Sequence, residues 1–412
     1  MDNCREENGT PKAAPWSYRR LAVFCLTLFG DLPAVSAGGA ATVAQDTTLS
    51  LEATYTADWV ANAGGGLERD RAYLDNLSLS AELNLGQLAA ASDARVRLSM
   101  LYNNGTRFSE GIVGDNMIVS NVETGVQANR IYEAWINIGF GQSSDILFGL
   151  YDLNSEFDVL ESSSLFTGSS HGIGMDIAQT GANGPAIFPV TGLAVRFAAP
   201  LSRGWTARLA LLDGIPGNPD DPASTRVRLS SNDGVFAIAE LARDTARSRW
   251  LLGAWGYTAR FDPVAGSVSL DTGKARTGNV GLYLRAESVV FDRASTVSVF
   301  FRLGAAASRF NRYSRFLSLG IHWQGPFASR PNDEMGAALA TAFTSSTLKN
   351  AGRAAGQPVS AHESALEVSY RWQINRHIAL QPNIHYVLNP GIDPNLDDSV
   401  VLGLRLDVGL TN

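Results

Sequence analysis

The chain has 412 residues, with 33 Lys and Arg against 40 Asp and Glu and a formal net charge of −7. That acidic balance argues against a nucleic-acid partner, which needs a basic face. Its two cysteines, Cys4 and Cys25, lie within the first 37 residues, so the remainder can hold neither a disulfide framework nor a cysteine-ligated metal.

The N-terminus reads as an export leader: Arg19-Arg20, the apolar run from Leu21 to Gly30, then Ala34-Val35-Ser36-Ala37. The run falls far short of the ~20 apolar residues that cross a bilayer as a helix. A cleaved signal peptide is therefore expected over 1–37 and the mature protein over 38–412. Beyond the leader only Lys274 and Lys349 are lysines. Arginine is permanently charged and presents a planar fork, which suits fixed positions on a polar wall. No later segment is apolar enough for a transmembrane helix, so passage through a membrane would require a closed barrel, where every backbone group is paired.

Period-two alternation recurs from end to end. Leu77, Leu79, Ala81, Leu83 and Leu85 interleave with Ser78, Ser80, Glu82 and Asn84; Leu317, Leu319, Ile321 and Trp323 interleave with Ser318, Gly320, His322 and Gln324. Sixteen strands are predicted, near 47–59, 73–85, 94–103, 130–140, 145–151, 189–199, 205–213, 234–242, 249–260, 279–291, 296–306, 315–325, 334–344, 363–373, 376–388 and 399–409. Those at 234–242 and 334–344 carry the weakest pattern, and no helix is predicted anywhere.

Connections after even-numbered strands are mostly short, such as GQSS, PLSRG, RDTARS and FDRAS, whereas those after odd-numbered strands are mostly long and rich in Gly, Asn and Asp. Short periplasmic turns alternating with long outer loops is the layout of an outer-membrane barrel. A β-sandwich has no reason to sort its loops by parity. The longest connection, within Phe148 to Arg196, has neither helical nor strand period over 152–188. Loops of that length are usually functional. The expectation is an all-β transmembrane antiparallel barrel of about sixteen strands whose 152–188 loop folds inward and sets the width of the pore.

Three stretches carry a family resemblance. GLYDLNSEFD, SSHGIG and GPAIFPVTGLAVR, in that order between Gly149 and Arg196, with LQPNIHYVLNPG at 380–391 and VVLGLR at 400–405, resemble the carbohydrate-selective, OprB-like porins of Gram-negative outer membranes. The resemblance implies a sixteen-stranded barrel with inward-folded loops, residence in outer-membrane lipid and passive diffusion of small sugars. Such barrels commonly end in an aromatic residue read by the barrel-assembly machinery; this chain ends Leu410-Thr411-Asn412. A homotrimer and a monomer fit the apolar outward faces equally well.

With apolar faces to lipid, the partner faces line the lumen: Glu82, Arg95, Arg97, Glu133, Trp135, Asn137, Arg196, Arg208, Arg285, Glu287, Arg302, Glu367, Arg371 and Arg405. Arginines and carboxylates pair with sugar hydroxyls, and aromatic rings support the CH faces. Glu133 and Trp135, close together on one strand, are the leading sugar contacts. In the long loop Asp152, Glu156, Asp158, Glu161, His171 and Asp176 form a group facing the basic wall, either setting a transverse field or pairing with wall arginines to pin the loop. Phe157, Leu165, Phe166 and Ile173 are expected to anchor it.

Two enzyme-like patterns fail on context. Gly168-Ser169-Ser170-His171-Gly172 fits a nucleophile elbow, but a Gly/Asn/Pro-rich stretch stands where the following helix should be. Asp393, Asn395 and Asp397 echo a calcium loop that lacks its sixth-position Gly and twelfth-position ligand. No cofactor or catalytic residue is expected. The alternatives to a sugar channel are a porin of the same architecture for anions or other small solutes, and a secreted β-rich binding protein without a pore.

Overall fold

In a computed structural model the described residues are 49–86, 93–141, 143–230, 232–264 and 276–411. The leader read over 1–37 lies outside them. Sixteen strands form one closed antiparallel barrel, each paired with its sequence neighbours and the last with the first. They are β1 (Leu49–Gly64), β2 (Arg71–Asn84), β3 (Ala94–Asn104), β4 (Gln127–Phe140), β5 (Ser144–Tyr151), β6 (Gly192–Pro200), β7 (Trp205–Asp213), β8 (Val235–Asp244), β9 (Ser248–Tyr257), β10 (Val280–Asp292), β11 (Thr296–Ala306), β12 (Tyr313–Gln324), β13 (Glu334–Thr344), β14 (His362–Asn375), β15 (Ile378–Leu388) and β16 (Ser399–Thr411). Every predicted strand is present. Three or more residues separate expectation and structure at four strand ends: β1 runs five residues further out, β4 starts three residues earlier, β9 ends three residues earlier at Tyr257, and β6 starts at Gly192 because Val190 instead closes a small bridge with Ile187.

Closure removes the sheet edges that lipid could not satisfy. Long apolar side chains at Leu79, Leu209, Leu252, Leu319 and Ile321 are exposed on the outer face. Their neighbours at Ser318, Arg208, Leu251 and His322 point inward.

Strict alternation breaks in β4. Ser99 pairs with Glu133 but Met100 pairs with Ile131, so Tyr132 is an extra, bulged residue. Ile131 is consequently 41% exposed to the outside, while Glu133 is 6% exposed on the inside.

Helices were not predicted, yet Ser346–Ala354 is helical in the β13–β14 loop. Ser345 caps it by accepting a hydrogen bond from Leu348 N at 3.2 Å, and Gly356 at φ 70° follows its end. Single helical turns also occur at Ser169–Gly172 and Met175–Ala178.

The barrel's core is inside it. The β5–β6 loop packs Leu153, Phe157, Leu160, Leu165, Phe166, Ile173 and Ile177 against inward-facing Phe236, Ile238, Leu251, Trp255, Tyr283, Phe300 and Ala338. A second inward fold, the β3–β4 loop, buries Phe108, Val113 and Val119 against Val60, Leu74, Val387 and Val401.

The candidate constriction and open lumen wall

The β5–β6 loop is fastened by charge as well as by packing. Asp158 stands between two wall arginines: Arg302 donates from Nε at 2.8 Å, and the Nη1 of Arg285 lies 3.3 Å from its carboxylate. The Asp158 carbonyl also accepts from Arg285. Arg302 reaches Asp176 at 2.5 Å. Both arginines are 1% exposed; all three guanidinium nitrogens of Arg302 meet carboxylate oxygens, and the Nη atoms of Arg285 also reach the His171 carbonyl at 2.7 Å and the Gly172 carbonyl at 2.8 Å. The approach is so close that a Cβ on Gly174 would collide with the Arg302 guanidinium, and one on Gly304 with Asp176.

Wall carboxylates hold the loop backbone in turn. Glu240 accepts from Asp158 N at 2.9 Å, Tyr283 Oη at 2.6 Å and Arg208 at 3.2 Å. Glu287 takes Ser162 N at 2.8 Å and Glu161 N at 3.4 Å. Glu367 takes Thr167 N at 2.8 Å and Gly168 N at 2.9 Å, and Gln381 donates to the Leu165 carbonyl at 2.6 Å. Burying a carboxylate costs several kcal/mol unless its oxygens are filled in this way.

His171 and His385 flank Glu367, each with a ring nitrogen 3.8 Å from the same Oε2. Burial pushes the His171 imidazole down to about 4 despite the nearby Glu367 charge. The His171 Nδ1 faces Ser318 Oγ at 3.4 Å. At the loop's start Asp152 accepts from Tyr132 Oη at 2.6 Å, and burial pushes its carboxyl up to about 6 against that bond. Glu156 pairs with Arg196 at 2.7 Å, and Arg196 also meets Asp145.

The β3–β4 loop repeats the device. Arg405 grips Asp58 with two bonds of 2.7 Å and reaches Asn121 at 2.8 Å, while Ser120 Oγ donates to Asp58 at 2.6 Å. Glu363 collects the Asn116, Met117 and Gly391 amides. Nearby, burial and the Asp115 charge push Glu123 up to about 8, and burial brings Asp115 to about 6.

A different arrangement occupies β2–β4. Arg97 lies between Glu133, 3.0 Å from Nε, and Glu82, 3.4 Å from Nη1; Arg95 reaches Glu82 at 3.6 Å, and Trp135 Nε1 donates to Glu133 at 3.2 Å. Among the described residues, no ion pair links this row to the β5–β6 loop. Arg371 and Asp407 form another partly exposed pair inside the barrel.

The residues singled out in the sequence thus fall into two groups. Asp158, His171, Asp176, Arg196, Arg285 and Arg302 are buried where loop and wall meet. Glu82, Arg97, Trp135 and Arg371 keep accessible surface, with Glu133 and Arg208 largely covered and Glu161 exposed on the loop. Glu240, Tyr283, Asp58, Glu363, Gln381 and His385 were not singled out; their partners lie far away in sequence. Ser170 is buried, with His171 directed to Ser318 and Glu367 instead. Asp393 Oδ1 is taken by its neighbour Asn395.

The model of the carbohydrate-selective porin, OprB family matches residues 68–410. Porin B of Pseudomonas aeruginosa is 21% identical over 410 residues, covering 90% of this chain and 89% of that protein. A putative porin, QuiX, of Acinetobacter baylyi is 22% identical over 222 residues, covering 50% of this chain and 43% of its own. Among solved structures, the high-pH form of Pseudomonas putida OprB superposes with a TM-score of 0.77 at 18% identity, covering 89% of this chain and 94% of that one. The anion-selective porin of Comamonas acidovorans gives 0.53 at 10% identity, covering 89% and 100%. With a closed sixteen-stranded barrel, an inward-packed β5–β6 loop and a family match across nearly all of its strands, the chain belongs to the OprB family of carbohydrate-selective porins, outer-membrane channels of Gram-negative bacteria.

Proposed function

We propose that small neutral sugars diffuse passively past the Arg95–Glu82–Arg97–Glu133–Trp135 row, with the β5–β6 loop narrowing the rest of the lumen. The supporting observation is the contrast between the two walls. Glu240, Arg285, Glu287, Arg302 and Glu367, on β8, β10, β11 and β14, are consumed by the loop, whereas the row on β2–β4 makes its ion pairs only within itself, and Glu82, Arg95, Arg97 and Trp135 keep accessible surface. Its arginines and carboxylates can exchange partners with sugar hydroxyls, and Trp135 offers a ring face. The acidic loop residues Asp158 and Asp176 serve in this reading to pin the loop, while Glu156 and Glu161 stand at its accessible edge. Residues 1–37 are read as the export signal, tested by N-terminal sequencing of the mature protein. Cross-linking in outer membranes would count subunits and test for a homotrimer.

The experiment is a planar-bilayer recording with glucose and maltooligosaccharides added to purified protein. Sugar should reduce the current, and Trp135→Ala should weaken that effect about two- to tenfold, the worth of one aromatic contact. A strongly anion-biased current indifferent to sugar would instead support a channel for other solutes.

A further inference from the structure

The rim formed by the short turns carries arginines on three adjacent connections: Arg203 between β6 and β7, Arg243 and Arg247 around the β8–β9 turn, and Arg293 between β10 and β11. In a chain of net charge −7 this is a basic arc. Arg243 is its best-defined member. In register it lies opposite Trp205 on β7 and Trp250 on β9. Phe236, Ile238, Glu240 and Ala242 of the same strand are buried inward, so Arg243 belongs to the outward face, where Trp250 is 45% exposed. Its guanidinium sits 5.2 Å from the centre of the Trp205 ring.

A second stacked arginine on the same rim shows what this geometry can hold. Arg330 lies 4.8 Å over Trp372, and its edge binds the Asp333 carboxylate through Nε at 2.5 Å. Among the described residues no carboxylate pairs with Arg243, and neighbouring Asp244 pairs with Arg249 at 3.6 Å. A guanidinium lying flat on an aromatic ring keeps its N–H edge free for a two-point contact with an oxyanion. At the level where hydrocarbon gives way to headgroups, the abundant oxyanion is a lipid phosphate, and basic residues there gain about 1 kcal/mol each from an anionic leaflet.

We propose that Arg243, framed by Trp205 and Trp250, binds the phosphate of an inner-leaflet phospholipid, with Arg203, Arg247 and Arg293 adding attraction along the arc. The site faces lipid, not the lumen, and is separate from solute passage.

The test follows the temperature at which the compact, detergent-resistant barrel of the purified protein is lost, as phosphatidylglycerol is mixed into neutral-detergent micelles. Phosphatidylglycerol should raise the midpoint, whereas diacylglycerol with the same chains and inorganic phosphate should not. Arg243→Gln should need roughly fivefold more lipid for the same rise, with single-channel conductance unchanged and Arg330→Gln responding to lipid as the wild type does. If Arg243→Gln folds poorly, Trp205→Leu removes the platform instead, and its lipid response should weaken likewise. An unaltered lipid response in whichever variant folds overturns the proposal. Equal stabilisation by diacylglycerol overturns it as a tail effect, and equal stabilisation by inorganic phosphate overturns it as a free-anion site.

Discussion

Arg302 shows how one side chain connects fold to passage. It is buried, bonded to Asp158 and Asp176, and stacked 5.3 Å and 5.2 Å from the Tyr283 and Phe316 rings. Removing one partner from a buried ion pair costs about 3–5 kcal/mol, because the remaining charges are left uncompensated. Arg302→Met should therefore free the middle of the loop, raising single-channel conductance and lowering the temperature at which the barrel loses its compact form. Unchanged conductance in a folded variant would contradict the pinning role. Gly304→Ala tests the same contact sterically and should shift both readouts in the same direction. The lumen-facing side of Arg285 and Arg302 was legible from period two; their burial was not, since the covering loop starts more than a hundred residues earlier. The Tyr132 bulge was likewise invisible, because an extra residue leaves no mark in a local pattern.

At the scale of elements, the two inward loops hold groups that answer pH in opposite directions, and Asp152 of the β5–β6 loop, raised to about 6, acts in the same sense as the β3–β4 carboxylates. Glu123, at about 8, and Asp115, at about 6, are raised, so the folded β3–β4 loop binds their protons more tightly than the free chain does. Their contribution is present in acid and is lost as pH rises through about 6 to 8. Hydrogen-exchange protection factors for 105–126 should be higher at pH 5.5 than at pH 9, and Glu123→Gln should flatten the difference. Equal protection in the wild type would count against it. His171, lowered to about 4, behaves conversely: its contribution to the β5–β6 loop is present above its ordinary value and is lost as pH falls toward 4. The strands predicted most weakly, β8 and β13, have a shared explanation. Phe236 and Ile238 are apolar on the inner face because the loop covers them, and Ala338, Ala340 and Ala342 are small on that face, where loop segments come close. Alternation fades wherever the inner face of a strand is apolar as well as the outer one. The helix at Ser346–Ala354 was signalled by Ser345 and Gly356, but nine residues make too short a period to stand out.

For the whole molecule, the parity of turn lengths was enough to identify a barrel, because closure and orientation dictate which ends are short. What parity could not reveal is that the lumen is asymmetric. One side is a packed interior of loop against wall, the other a polar row on β2–β4 that pairs within itself. A channel of this kind should pass neutral sugars by size. The most direct measurement is swelling of proteoliposomes in isosmotic glucose, maltose and longer maltooligosaccharides. Rapid swelling in glucose, falling as the sugar lengthens and relaxed toward longer sugars by Arg302→Met, is the predicted result; ion conductance with no swelling in any neutral sugar would contradict it.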